Sequence, residues 1–147
     1  MTFDQLARKL EATPSKAFGQ GASAEDVRVA SARLGVSLLG GYRRFLERFG
    51  WGGVGSFELY GLGSDVPRYL DLVSVTESER TQMSPALPAH LIPLMNDGAG
   101  NLYCLDSRTA GEPLIVFWDH EAGEEQEPEP VASDFVSWME ERLESSE

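Results

Sequence analysis

Five consecutive apolar residues, Leu114-Ile115-Val116-Phe117-Trp118, constrain this chain more than any other segment. They do not alternate with polar residues, so they read as a strand covered on both faces. Such a strand is central in its sheet, and the remaining segments must supply the cover.

Helical segments come first. Phe3, Leu6, Ala7 and Leu10 recur on one face, which predicts an amphipathic helix from about Thr2 to Glu11, ended by Thr13-Pro14-Ser15. Lys16 to Ala22 carries two glycines and little periodicity, and reads as a loop. Ser23 is a natural cap for a second helix, with Glu25 and Asp26 at its positive end, Val27, Ala30, Ser31 and Leu34 on one face, and Gly35 closing it. Tyr42, Phe45, Leu46 and Phe49 form the stripe of a third, with Arg43, Arg44, Glu47 and Arg48 outside. Gly50-Trp51-Gly52-Gly53 breaks it and reads as a chain reversal in which Trp51 helps cover the core.

Strands follow. Ser56 to Leu62 is strand-like, with Phe57 and Leu59 on one side and Glu58 and Tyr60 on the other. Tyr69 to Gln82 is expected to be a helix with Leu70, Val73 and Glu77 on one face, although its β-branched residues weaken that tendency. Leu91–Met95 and Asn101–Asp106 flank Asn96-Asp97-Gly98-Ala99-Gly100 as a hairpin. Asp119 to Pro130, with six acids, two prolines and no Lys or Arg, reads as a solvated connection. Ser133 is expected to cap a last helix with Phe135, Trp138, Met139 and Leu143 inward. No internal repeat or second-domain boundary is evident across residues 1–147. The expected fold class is α+β, one mostly antiparallel sheet packed by helices.

Composition limits the chemistry. A domain of 147 residues buries about 68–70% of its unfolded surface, so one core suffices without disulfides. Cys104 is the only cysteine, which excludes an internal disulfide and a Cys-cluster zinc site, and fits a reducing, cytoplasmic compartment. No apolar run approaches the roughly 20 residues that span a bilayer, so no membrane association is expected. Only His90 and His120 offer imidazole bases, and Cys104 sits in a strand as a buried thiol rather than a nucleophile. The glycines from Gly50 to Gly55 follow a helix and precede a strand, the reverse of a phosphate cradle. Asp119-His120-Glu121, with Asp97 or Asp106, is the best candidate metal set, but adjacent strand-end residues point in alternating directions. No cofactor, metal or catalytic residue is therefore assigned.

Net charge is −12, from 24 acids against 12 Lys and Arg. Residues 1–111 hold 12 acids and 11 bases, whereas 112–147 hold 12 acids and only Arg142. This balance opposes direct nucleic-acid binding, which draws on clustered Lys and Arg. The concentrated charge serves either solubility or the steering of a basic partner.

Several blocks resemble the SUKH superfamily, the group that includes the SMI/KNR-type domains. They are Leu38 to Gly53 around Tyr42-Arg43-Arg44-Phe45-Leu46, Leu91-Ile92-Pro93-Leu94, Asp97 to Asp106, Pro113 to Glu121 ending in Trp-Asp-His-Glu, and Ser133-Asp134-Phe135. In order and spacing they cover about residues 23–143. Leu38-Leu39-Gly40 replaces the usual Leu-Pro before the tyrosine helix, and Trp51 replaces an Asn before Gly-Gly. The resemblance implies an α+β fold without an established catalytic motif. For bacterial members it implies immunity proteins that neutralise a cognate toxin domain, often a nuclease. For fungal members it implies regulators of cell-wall synthesis acting through protein contacts.

The expected function is thus a cytoplasmic immunity protein binding a basic toxin, with Trp51, Asp119, Glu121, Glu124, Glu125, Glu127 and Glu129 as candidate contacts. A regulatory or scaffold interaction domain is the alternative. A small metal-dependent hydrolase using Asp97, Asp106, Asp119, His120 and Glu121 is a second. The sequence leaves oligomeric state open.

Overall fold

The expected helical stripes are buried in the computed structural model, which describes residues 1–55 and 57–145. Helix α1 spans Phe3–Ala12 and buries Phe3, Leu6, Ala7 and Leu10. Thr2 caps it by accepting the Gln5 backbone N–H, while Gln5 Oε1 accepts the Thr2 N–H at 2.8 Å. Helix α2, Ala24–Leu34, opens on the same reciprocal device between Ser23 and Asp26, each bond 3.0 Å. Helix α3, Gly40–Arg48, buries Tyr42, Phe45 and Leu46. The Tyr42 hydroxyl donates to the Tyr60 carbonyl at 2.6 Å, which satisfies it inside the core, and burial holds its pKa far above the ordinary phenol value.

The start of α3 has a partner no local sequence rule supplies. Leu39, at the cap position, offers no side-chain acceptor. Instead Glu112, 71 residues away, accepts the Gly41 N–H through Oε1 at 3.0 Å. Gly40 makes room for it: φ is +69°, and a Cβ there would overlap the Glu112 carboxylate. Glu112→Ala is expected to cost about 1 kcal/mol, the scale of a lost cap, readable as a shifted urea midpoint at unchanged slope.

Two sheets are present, which corrects the expectation of one. The first has the order β1-β2-β3, with β1 Lys16–Phe18, β2 Gly52–Val54 and β3 Phe57–Leu59, all antiparallel. The second has the order β4-β5-β6-β7, with β4 Leu91–Asn96, β5 Leu102–Asp106, β6 Ile115–Trp118 and β7 Glu129–Ala132, also antiparallel. The Tyr60 N–H donates to the Leu94 carbonyl at 2.8 Å, joining the end of one sheet to the edge of the other. Strands β1 and β2 lie where a loop and a chain reversal were expected. Three-residue strands built partly of glycine carry no hydrophobic alternation, and backbone pairing alone defines them. At Gly53 that pairing is so close that a Cβ would overlap the Phe57 carbonyl oxygen. Ser56, expected to begin β3, lies outside the described residues.

Burial follows the expected side in β3, where Phe57 and Leu59 are buried and Glu58 exposed, but Tyr60 is buried as well. The Tyr69–Gln82 segment is a short 3₁₀ turn, Arg68–Leu70, followed by α4, Leu72–Thr81. Asp71 separates them and caps α4 by accepting the Ser74 N–H at 3.1 Å. That break shifts the buried face to Leu72 and Thr76, while Glu77 turns outward to pair with Arg33 of α2. The Thr76 hydroxyl is satisfied by the Leu72 carbonyl at 2.6 Å.

Strand β6 lies between β5 and β7, the interior position its unbroken apolar run requires. Tyr103 of β5 meets Phe117 at 5.3 Å and Trp138 of the last helix, α5, Phe135–Ser145, at 5.5 Å between ring centroids. Helix α4 lies against β4. Asp134, rather than Ser133, caps α5: its Oδ1 accepts the Ser137 N–H at 2.7 Å, while the Ser133 hydroxyl donates to Asp134. The core is one contiguous cluster reaching from α1 to α5 through both sheets.

Candidate functional site

The acidic connection after β6 is an ordered loop. Asp119, half-buried, starts it by donating its N–H to Gln126 Oε1 at 3.1 Å. Gln126 Nε2 returns bonds to the Asp119 carbonyl at 2.6 Å and the Gly123 carbonyl at 3.0 Å. Asp119 Oδ1 accepts the Glu121 N–H at 2.9 Å, closing the first turn. One amide side chain thus ties the start of the loop to its middle, and the glutamates around it point outward. Glu121, Glu124, Glu125, Glu127 and Glu129 are all exposed.

The loop returns into β7, whose first two residues were expected to belong to the solvated connection. Glu129-Pro130-Val131-Ala132 has neither alternation nor β-branched density, but β6 needs a neighbour on its second side and the returning chain supplies it. Pro130 sits on this edge strand, where a missing donor costs least. Gln126 and β7 convert a solvated run of charge into a surface of fixed shape. Gln126→Ala is expected to cost about 1–2 kcal/mol through unpaired backbone groups and to accelerate amide exchange at Asp119 and Ala122.

The loop's flank is less acidic. Pro88, His90, Arg108, Gln126 and Glu127 line a cleft of about 320 Å³. Arg108 there is held by Asp106, Nε to Oδ1 at 3.2 Å and Nη2 to Oδ2 at 3.1 Å. That contact, with the Asp106 charge and a smaller effect of Glu127, keeps the guanidinium pKa raised. Burial lowers the His90 pKa, assisted by Arg108.

The candidate metal residues are engaged separately. Asp97 binds its own hairpin turn, accepting from the Ala99 N–H at 2.8 Å, the Asn101 N–H at 3.1 Å and Asn101 Nδ2 at 2.9 Å. Asp106 holds Arg108, and Asp119 holds Glu121. Among the described residues no three His, Cys, Asp or Glu side chains converge as a metal set. Cys104 is fully buried, and burial, with the nearby Glu79 charge, pushes its thiol pKa well up, as for a structural thiol.

Burial alone would raise the Asp97 pKa, but its three hydrogen bonds outweigh that and hold it below the ordinary carboxylate value. A depressed folded pKa contributes stability that is present above about pH 4 and lost as pH falls through the folded value. Asp97→Asn is therefore expected to flatten the acid side of the stability profile, measured by urea unfolding between about pH 2 and 6.

Trp51 stands on other partners. Its indole N–H donates to Asp65 Oδ1 at 3.0 Å, and Asp65 Oδ2 accepts the Gln20 N–H at 3.1 Å. The Gly19 N–H donates to the Trp51 carbonyl at 3.0 Å. Trp51 is half-buried against the core and pins β1 to the loop around Asp65. Among the described residues none of these partners comes from 119–130, so Trp51 and the acidic loop form no single constellation. Sequence reasoning missed Gln126, Asn101 and Glu112. Gln126 did carry a signal, as the one amide side chain, able to both donate and accept, within the acidic run.

Comparison with known proteins places the chain in one family. The family model SUKH_5, described as SMI1-KNR4 cell-wall, matches residues 2–144. The chain belongs to this family. A crystal structure of a protein from Pseudomonas syringae pv. tomato is similar in fold, with a TM-score of 0.69 at 16% identity, over 93% of this chain and 95% of that one. No curated protein matches. No helix among the described residues is long and apolar enough to cross a membrane.

Proposed function

We propose that this chain is a SUKH-type immunity protein that binds and neutralises a basic toxin domain without catalysing a reaction. The observation that carries this reading is the loop from Asp119 to Pro130, held by Gln126 and β7 with five glutamates outward. A fixed array of one sign raises the local concentration of an oppositely charged partner and speeds productive encounter. Asp119 and Trp51 act by shaping the surface, Asp119 at the loop's base and Trp51 elsewhere. The partner's basic surface is occluded by Glu121, Glu124, Glu125, Glu127 and Glu129, in the cytoplasm of the producing cell.

Co-expression with the toxin domain encoded beside the gene tests this. Survival of cells carrying both, with a complex recoverable by size exclusion, is expected. Absence of binding and of protection against that domain overturns the reading. The family description, SMI1-KNR4 cell-wall, favours a second reading as a regulatory interaction domain. That reading is preferred if no toxin gene adjoins this one.

A further inference from the structure

His120 stands where β6 gives way to the acidic loop, and its ring is fixed by a relay from the hairpin. Asn101 Oδ1 lies 2.7 Å from His120 Nδ1 and accepts the His120 backbone N–H at 3.2 Å. Asn101 Nδ2 donates to Asp97 Oδ2 at 2.9 Å. The ring also lies against Gly100, where a Cβ would come within 3.0–3.2 Å of three of its atoms.

The 2.7 Å contact alone leaves the position of the ring proton open, because heavy atoms do not display it. Asn101 decides it. An ionised carboxylate only accepts, so the amide nitrogen must face Asp97, and the amide oxygen must face the His120 backbone N–H. Both requirements place an acceptor opposite Nδ1, which therefore carries hydrogen whether the ring is neutral or charged. Neutral His120 then keeps its lone pair on Nε2.

Nε2 is turned toward the loop. The His120 side chain is 40% exposed, and Glu121 Oε1 lies 3.7 Å from Nε2 with an 82% exposed side chain. That separation is too long for a hydrogen bond between them, so both acceptors remain open to a donor. We propose that His120 Nε2 and the Glu121 carboxylate form a receptor for one arginine side chain, whose guanidinium donates one N–H to the imidazole and another to the carboxylate. A planar fork of donors that is weakly hydrated suits two separate acceptors better than the compact, strongly hydrated lysine ammonium. That the arginine belongs to a toxin rests on the reading above; the receptor itself rests on the relay.

The receptor differs from the surrounding glutamates in what it does. Exposed glutamates steer encounter, whereas an oriented short-range contact governs how long the complex lasts. The charged groups facing the ring are Glu121 from the loop, Glu79 from α4 and, through Asn101, Asp97 from the hairpin, all of them acids, which favours a cationic ligand.

Nitrogen-15 NMR on the full chain tests the proposal, with N-acetylarginine amide and its citrulline counterpart as probes. At about pH 7.5, above the ordinary histidine range, the free protein is expected to show His120 as the Nδ1–H form. Tens of millimolar arginine amide are expected to shift the His120 Nε2 and Glu121 carboxyl resonances, and citrulline amide to leave both in place. An Nε2–H form overturns the proposal. So does a His120 response no larger than that of Glu140, Glu141 and Glu144 on α5, which reduces the effect to general attraction by acids. Protection by co-expression alongside a failed arginine response removes the receptor alone; an arginine response without protection removes the toxin reading alone.

Discussion

Replacing Glu124, Glu125, Glu127 and Glu129 together with Gln is expected to slow association with the basic partner by about tenfold or more at low ionic strength. The four side chains are exposed, and none makes a hydrogen bond that orders the loop, which depends on Gln126. The amides keep their size and remove four charges, so stability is expected to change little while the encounter field collapses. Raising the salt toward physiological strength shortens the screening length to about 8 Å and should bring the wild-type rate down toward the variant's. Stopped-flow association across a salt series reads both effects. Equal rates for the two proteins at low salt would leave the charge a role in solubility only.

Phe135→Ala is expected to cost about 3–5 kcal/mol, the range for deleting a fully buried aromatic ring. Phe135 is 0% exposed and packs α5 against α3. Its ring centroid lies 5.6 Å from Tyr42, 5.8 Å from Phe45 and 6.1 Å from Trp138, so it touches α3 and α5 together. Its side chain also fills the space beside Gly41, where α3 approaches closest. Truncation leaves a cavity between α3 and α5. Urea unfolding measures the loss; a cost below about 1 kcal/mol would mean that α5 is not held by this cluster.

The Tyr42–Phe49 stripe announces α3, although its first turn is capped by the distant Glu112. Helices α1 and α2 were legible because each carries its own period and its own cap. The unbroken run at β6 gave the interior of the second sheet for the same reason. What could not be read is whatever depends on distant backbone. Lys16–Phe18 and Glu129–Ala132 are strands only because β2 and β6 present unpaired edges to them. Splitting the strands into two sheets follows from the three-residue length of β1, β2 and β3, which extend no continuous ladder into β4 beyond the Tyr60–Leu94 bond.

The candidate surface was legible in charge and not in form. Counting acids located the loop, but composition reads Asp119–Pro130 only as a solvated connection, and the bonds from Gln126 back to Asp119 and Gly123 depend on how the chain turns. Asp97 was visible as a turn residue and Asn101 only as the start of a strand, whereas the Asn101 link to His120 spans 19 residues and needs the β5–β6 register to exist. Trp51 reads in the sequence as helping to cover the core and as a candidate contact; its half-burial fits the first, while its indole N–H is taken by Asp65, 14 residues further on, which no local pattern announces.

Hydrogen exchange of the full chain, free and bound to the adjacent toxin domain, tests the central claim most directly. Slowed exchange confined to residues 119–130 and the neighbouring Asp97–Asn101 turn is expected, with α1 and α2 unchanged. A footprint on α1 and α2 that leaves 119–130 exchanging at its free rate would contradict the assignment of the binding surface.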